Sequence, residues 1–135
     1  LARIVFDSPK DLKMLCAIIH PEVTKVIKKK ITGYHKANNS KIVVIDAPLL
    51  IEAGLHKLSD YLIVVSADHK TQIKRIQKRT SLTKSQIHKR IRAQMSLKDK
   101  IRLADAVIDN KGTLRETQKQ AEDVWQKLLR KKTKI

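Results

Sequence analysis

The run Ile42-Val43-Val44-Ile45, closed by Asp46, and its repeat at Leu62-Ile63-Val64-Val65 decide the fold. Each is a short, unbroken apolar stretch rich in β-branched residues, the pattern of a strand covered on both faces inside a parallel sheet. A third, shorter run follows at Ala106-Val107-Ile108, and helix starts are predicted between the last two at Asp68, Thr83 and Ser96. Strands alternating with helices imply a parallel, layered α/β fold.

Upstream of these runs the pattern is helical. Leu1, Ile4 and Val5 fall at helical spacing, as if a helix were entered part-way. Ser8-Pro9 is a helix start, with a hydroxyl to accept orphan N–H groups and a proline in the first turn. This helix is predicted to run to about Ile19, where His20-Pro21 breaks it. A second helix then carries the stripe Val23, Val26, Ile27 and Ile31 and ends near Gly33. Downstream, Thr83-x-x-Gln86 and Thr113-x-x-Glu116 read as capping boxes. In the last helix Leu114, Thr117, Ala121, Val124, Trp125 and Leu128 line one face, and the basic residues after it form a frayed tail.

A chain of 135 residues is long enough for one domain with its own core. No apolar run reaches the roughly 20 residues that span a bilayer, and no secretory leader pattern is present, so a cytoplasmic protein without a membrane partner is expected. The single cysteine, Cys16, allows no intramolecular disulfide and reads as a buried structural thiol among Leu15, Ala17, Ile18 and Ile19. Thirty Lys and Arg against 13 Asp and Glu leave a net charge of +17, which points to polyanionic partners: nucleic acid, acidic membrane or phosphorylated metabolites. Lysine-rich surfaces also serve solubility alone.

Zinc and serine-hydrolase chemistry lack their parts, because the chain has no H-E-x-x-H, no paired Cys-x-x-Cys and no G-x-S-x-G. Phosphate chemistry remains. Parallel sheets bind ligands beyond the carboxyl ends of their strands. Asp46, closing the first run, has a Walker-B-like placement from which a carboxylate holds Mg²⁺ beside a nucleotide; the same position also suits a helix cap. Pro48 ends the strand, and Leu49 and Leu50 are placed to wall a substrate pocket. Arg75, Arg79, Arg90 and Arg92 lie on helices with thin apolar stripes, as in a mobile lid that neutralises transferring phosphoryl groups. A solvated basic face is the competing reading.

Five motifs in register carry a resemblance: His20-Pro21; Pro48-Leu49-Leu50-x-Glu52; Thr71-Gln72-x-Lys74-Arg75 with Arg79; Arg90-Ile91-x-Ala93-Gln94; and Ala104-Asp105-x-Val107-Ile108-Asp109-Asn110-x-Gly112. Together, from Leu1 to about Leu129, they resemble the dephospho-coenzyme A kinase family. The resemblance implies a three-layer, parallel-sheet P-loop kinase fold with a helical lid. The activity it implies is transfer of the ATP γ-phosphate, with Mg²⁺, to the ribose 3′-hydroxyl of dephospho-coenzyme A. It further implies that His20, Pro48, Leu49, Leu50 and Glu52 border the acceptor, that Arg90 and Gln94 belong to the lid with Arg75 and Arg79, and that Asn110 and Gly112 pass the adenine. On this basis residues 1–37 are coenzyme-A-binding helices, 41–66 core strands, 68–103 helix and lid, 104–130 the last strand and helix, and 131–135 a basic tail, all within one partial domain.

One departure stands out. Gly33, Gly54 and Gly112 are too far apart to form the phosphate-cradling G-x-x-x-x-G-K-[ST], and the family's early acidic motif is absent. The expectation is therefore a fragment, inactive alone, whose first strand, P-loop and catalytic base lie in an N-terminal segment upstream of Leu1. Without that strand, which belongs between the runs at Ile42 and Leu62, strand edges would lie open in mid-sheet. Two other readings remain: a different nucleoside or nucleotide kinase, and a basic nucleic-acid-binding module. Against specific nucleic-acid binding, Phe6, Tyr34, Tyr61 and Trp125 are scattered and offer no stacking platform.

Overall fold

The computed structural model describes residues 2–36 and 42–132. They group into two compact units, Leu1–Leu58 with Lys89–Gln94, and Ser59–His88 with Met95–Ile135.

In the first unit, helix α1 (Ala2–Val5) precedes the long helix α2 (Pro9–Lys36). Ser8 starts α2 as its sequence predicts: its hydroxyl accepts from the Asp11 N–H at 3.3 Å. The predicted break at His20-Pro21 does not occur, and Pro21 lies inside a single 28-residue helix. An interior proline costs about 3 kcal/mol by removing one helix donor and crowding the preceding turn. That cost is local, and the helical turns on either side remain in place. The carbonyl of His20 gains a side-chain donor, the Thr24 hydroxyl at 2.7 Å. The helix also runs through Gly33, whose backbone is not left-handed, and ends at Lys36. Of the expected stripe, Ile27 and Ile31 are partly covered while Val23 and Val26 are exposed. Cys16 is half-buried. Val5 is buried where α1 packs on α2.

The first β-branched run departs most from expectation. Ile42–Ile45 is not a strand; Ile42, Val43 and Val44 are exposed, Val44 by 80%. A strand exists only where a neighbouring backbone completes its ladder, and no described residue pairs with this run.

The second unit holds a two-stranded parallel sheet, β1 (Ile63–Ser66) and β2 (Ala106–Asp109), in the register Ile63↔Ala106 to Ser66↔Asp109. These are the second and third predicted runs, parallel as expected. Three helices lie between them: α3 (His69–Arg79), α4 (Lys84–Arg92, whose last four residues count with the first unit) and α5 (Leu97–Leu103). All three start at the predicted caps. Asp68 accepts from the Thr71 N–H at 2.8 Å, Thr83 and Gln86 exchange bonds of 3.0 and 3.3 Å, and Ser96 accepts from the Asp99 N–H at 3.1 Å. Helix α6 (Leu114–Lys132) packs on β2 and α5 on β1.

Neither strand is covered on both faces, contrary to the reading of its runs, and the register sets the buried side chains of β1 and β2 on opposite faces of the sheet. Val64 and Ile108 are buried, whereas Ile63, Val65 and Val107 are exposed. On α6, Val124 is buried, but Leu114, the first residue of the expected stripe, is 73% exposed. The helix continues to Lys132, two residues into the expected basic tail, and 133–135 lie outside the described residues.

Candidate functional site

Asp105 sets the start of the parallel pair. Its carboxylate Oδ2 accepts from the Leu62 N–H at 2.8 Å, while its own N–H donates to the Leu62 carbonyl at 2.9 Å. Four residues later the strands reach their carboxyl ends, where an α/β sheet presents its ligand loops.

The loop after β2 is held on every side. The Asn110 N–H donates to the Ser66 carbonyl at 2.7 Å, carrying the ladder one residue past β2. Asp109 Oδ1 accepts from the Lys111 N–H at 3.0 Å and its Oδ2 pairs with Lys111 Nζ at 3.1 Å. The Lys111 backbone N–H, and then its ammonium, hold the Asp109 carboxyl below the usual range; the same carboxylate raises Lys111. The Thr117 hydroxyl donates to Asn110 Oδ1 at 3.1 Å. Arg75 Nη1 donates to the Asn110 carbonyl at 2.6 Å and Nη2 to the Gly112 carbonyl at 3.5 Å. Below the loop, Glu116 and Thr113 form the predicted capping box, with the Thr113 N–H on Glu116 Oε2 at 2.7 Å. That N–H and the Thr113 hydroxyl lower the Glu116 pKa. Asp109, Lys111, Gly112, Glu116, Lys119 and Gln120 border a depression of about 360 Å³ beside the loop.

In the first unit, residues 47–54 fold into a tight turn. The Leu50 carbonyl accepts from the Leu55 N–H at 2.9 Å, the Gly54 N–H donates to the Ile51 carbonyl at 2.9 Å, and Gly54 adopts the left-handed φ of 71°. Buried Ile51 and Leu55 anchor the turn, leaving Leu49, Leu50 and Glu52 half-buried and Pro48 exposed. Glu52 Oε2 and His56 Nδ1 are shut off from solvent. A shallow groove of about 540 Å³ runs between this turn and α2, lined by His20, Pro21, Thr24, Lys25, Lys28 and Ala53. Of the turn only Ala53 meets His20 across this groove; Pro48, Leu49, Leu50 and Glu52 are not among its lining residues.

The remaining predicted residues are distributed as follows. Arg90 lies over the Phe6 ring, 4.8 Å from its centroid, and neighbouring Lys89 pairs with Asp7. Gln94 is exposed just beyond α4, its N–H on the Ile91 carbonyl at 3.2 Å. Arg79 is exposed in the last turn of α3. Asp46 is exposed, and among the described residues no group of three or more His, Cys, Asp or Glu could hold a metal ion. Among the described residues no helix is long and apolar enough to cross a membrane.

A family model described as dephospho-CoA kinase matches residues 1–116. The chain belongs to the dephospho-CoA kinase family. It is 42% identical over 128 residues to a Bacillus licheniformis dephospho-CoA kinase, which covers 93% of this chain and 63% of that one. A Carboxydothermus hydrogenoformans dephospho-CoA kinase is 41% identical, covering 94% and 61%. Of solved structures, a Thermus thermophilus crystal structure superposes with a TM-score of 0.71 at 29% identity, covering 95% of this chain and 65% of that one. A dephospho-CoA kinase from Campylobacter jejuni gives 0.56 at 25% identity, covering 93% and 62%. The chain thus spans a little over three fifths of the length of these two relatives, with the fold of P-loop dephospho-CoA kinases.

Several residues of this dephospho-CoA kinase family member escaped the sequence reading. Gln120 lies three residues beyond Thr117 on the same face of α6, and its reach to Asp109 across 11 residues was the missing information. Lys25 and Lys28 were counted only as charge, although they follow His20 along α2 into the groove.

Proposed function

We propose that this chain supplies the acceptor groove, lid and nucleobase loop of an enzyme that transfers the γ-phosphate of ATP to the ribose 3′-hydroxyl of dephospho-coenzyme A, the last step of coenzyme A synthesis. The observation that carries the reading is the match across residues 1–116 to dephospho-CoA kinases, within which His20 of α2 and Ala53, next to Glu52 in its turn, line one groove. Lys25 and Lys28 give that groove the positive charge an acceptor with a pyrophosphate needs. Half-buried Leu49 and Leu50 lie in the turn whose Ala53 borders the groove. Asn110 and Gly112 pass their backbone along the adenine.

In the transfer itself, Arg90 and Arg79, with Gln94, act from the lid to neutralise charge on the moving phosphoryl group, and positioning does most of the work. Arg75 stands apart from this set and acts on the nucleobase loop, its guanidinium lying on the carbonyls of Asn110 and Gly112. Mg²⁺, when bound, would be held by Asp46 and would offset the negative charge of the phosphates. It takes few protein carboxylates and completes its shell from phosphates and water, which suits a single exposed Asp46. The cradle of backbone N–H groups for the β- and γ-phosphates is spelled nowhere in the 135 residues. We assign it to an N-terminal segment of the same protein, and expect no activity from these residues alone.

The test is a coupled assay on the complete protein with ATP and either dephospho-coenzyme A or nucleoside monophosphates. Coenzyme A should form, with the higher kcat/KM for dephospho-coenzyme A; a preference for a nucleoside monophosphate overturns the assignment. Turnover by the 135 residues unaided would overturn the assignment of the cradle to another segment.

A further inference from the structure

Two side chains from different helices grip the end of β2 and the loop that follows it, and both hold main chain. From α6, Gln120 Oε1 accepts from the Asp109 N–H at 2.9 Å while its Nε2 donates to the Asp109 carbonyl at 2.9 Å. The amide copies the reciprocal pair that an adjacent strand would make. From α3, Arg75 reaches across 35 residues to the Asn110 carbonyl at 2.6 Å and on to the Gly112 carbonyl at 3.5 Å.

The residue types suit these tasks. A planar amide joins one donor and one acceptor, which the Asp109 backbone requires; a carboxylate would set negative charge against its carbonyl. A guanidinium fork reaches two carbonyl oxygens at once, where an ammonium is a point charge. An arginine whose donors end on carbonyls two residues apart fixes the path of the loop between them. We propose that Gln120 and Arg75 are positioning residues that hold the Asp109–Gly112 main chain in the path that distinguishes adenine from other bases. The proposal rests on the reading of this loop as the nucleobase site.

The test measures initial rates of the complete protein with ATP and with GTP, alongside thermal unfolding, for wild type, Gln120→Leu and Arg75→Lys. Each variant should raise KM for ATP about tenfold, as expected for loss of one or two hydrogen bonds at a positioned site. Each should also shrink the preference for ATP over GTP by a similar factor, with kcat and the KM for acceptor within about twofold of wild type. A merely structural role would lower active enzyme and unfolding temperature without splitting KM from kcat. If Gln120→Leu does not fold, Arg75→Lys still decides. An unchanged KM for ATP in a variant with wild-type unfolding temperature overturns the proposal, as does a fall in kcat with KM unmoved. A wild type that uses ATP and GTP alike overturns the reading of the loop itself.

Discussion

Asp105 holds Leu62 twice, its carboxylate on the Leu62 N–H at 2.8 Å and its own N–H on the Leu62 carbonyl at 2.9 Å. Two residues adjacent in space but 43 apart in sequence therefore fix where β1 and β2 begin to pair. The Asp105 of the Ala104-Asp105 motif thereby acquires a structural role.

Replacing Asp105 by Ala removes a charge-assisted acceptor and leaves the Leu62 N–H without it. The expected loss is about 1–2 kcal/mol, read from urea unfolding. Asp105→Asn keeps an acceptor oxygen and should lose less. An alanine variant as stable as wild type would show that the backbone bond alone sets the register.

Gly112 has a steric reason to be glycine. A Cβ there would run into Glu116 Oε2, the atom that accepts from Thr113. Gly112→Ala must displace that carboxylate and open the capping box, so a loss of about 1 kcal/mol is expected. The KM for ATP should rise as well, because the loop shifts with its cap. Gly112→Ala combined with Glu116→Ala should lose little more than Glu116→Ala alone; full additivity in chemical denaturation would contradict the shared cause.

The acid limb of stability follows from the caps. Asp68 is held below the ordinary carboxylate range by the Thr71 N–H and then its hydroxyl, and Glu116 by the same two groups of Thr113. A depressed folded pKa stabilises the protein at pH above the unfolded value, and the gain is lost as pH falls through the folded value. Unfolding temperature should thus hold down to the unfolded carboxylate values of about 4 and then decline. Glu116→Gln keeps a neutral acceptor for the box and should flatten part of that decline. An acid slope identical to wild type would remove Glu116 from the account.

Arg90 and Glu52 should separate kinetically in the complete protein. Arg90→Ala is expected to lower kcat by about 10² with a smaller effect on ATP binding, as for loss of a donor aimed at developing charge. Unchanged turnover would place Arg90 outside the reaction, with its contact to Phe6 as its main role. Glu52→Gln should raise the KM for acceptor, and a defect confined to ATP affinity would contradict the groove assignment.

Helix starts were the most legible feature. Ser8, Asp68, Thr83, Ser96 and Thr113 all cap as their spacing implies, because a cap involves residues only three apart. The site was legible as residue types but not as bonds. Arg75 was read as a phosphate ligand, and its guanidinium lies on the carbonyls of Asn110 and Gly112. Nothing in the spacing of Arg75 and Asn110 announces that approach.

By itself the sequence determined the two parallel runs at Leu62 and Ala106, the helices between and after them, and the family to which the chain belongs. Each rests on local periodicity, capping chemistry or motif order, which are properties of neighbours along the chain. Only the tertiary structure decided that α2 passes through Pro21, that Ile42–Ile45 pairs with no described strand, and that the sheet buries Val64 and Ile108 while exposing Val65. Those outcomes depend on which distant backbone or apolar face comes to lie alongside, and a β-branched run becomes a covered strand only when a partner completes its hydrogen bonds and excludes water from both faces.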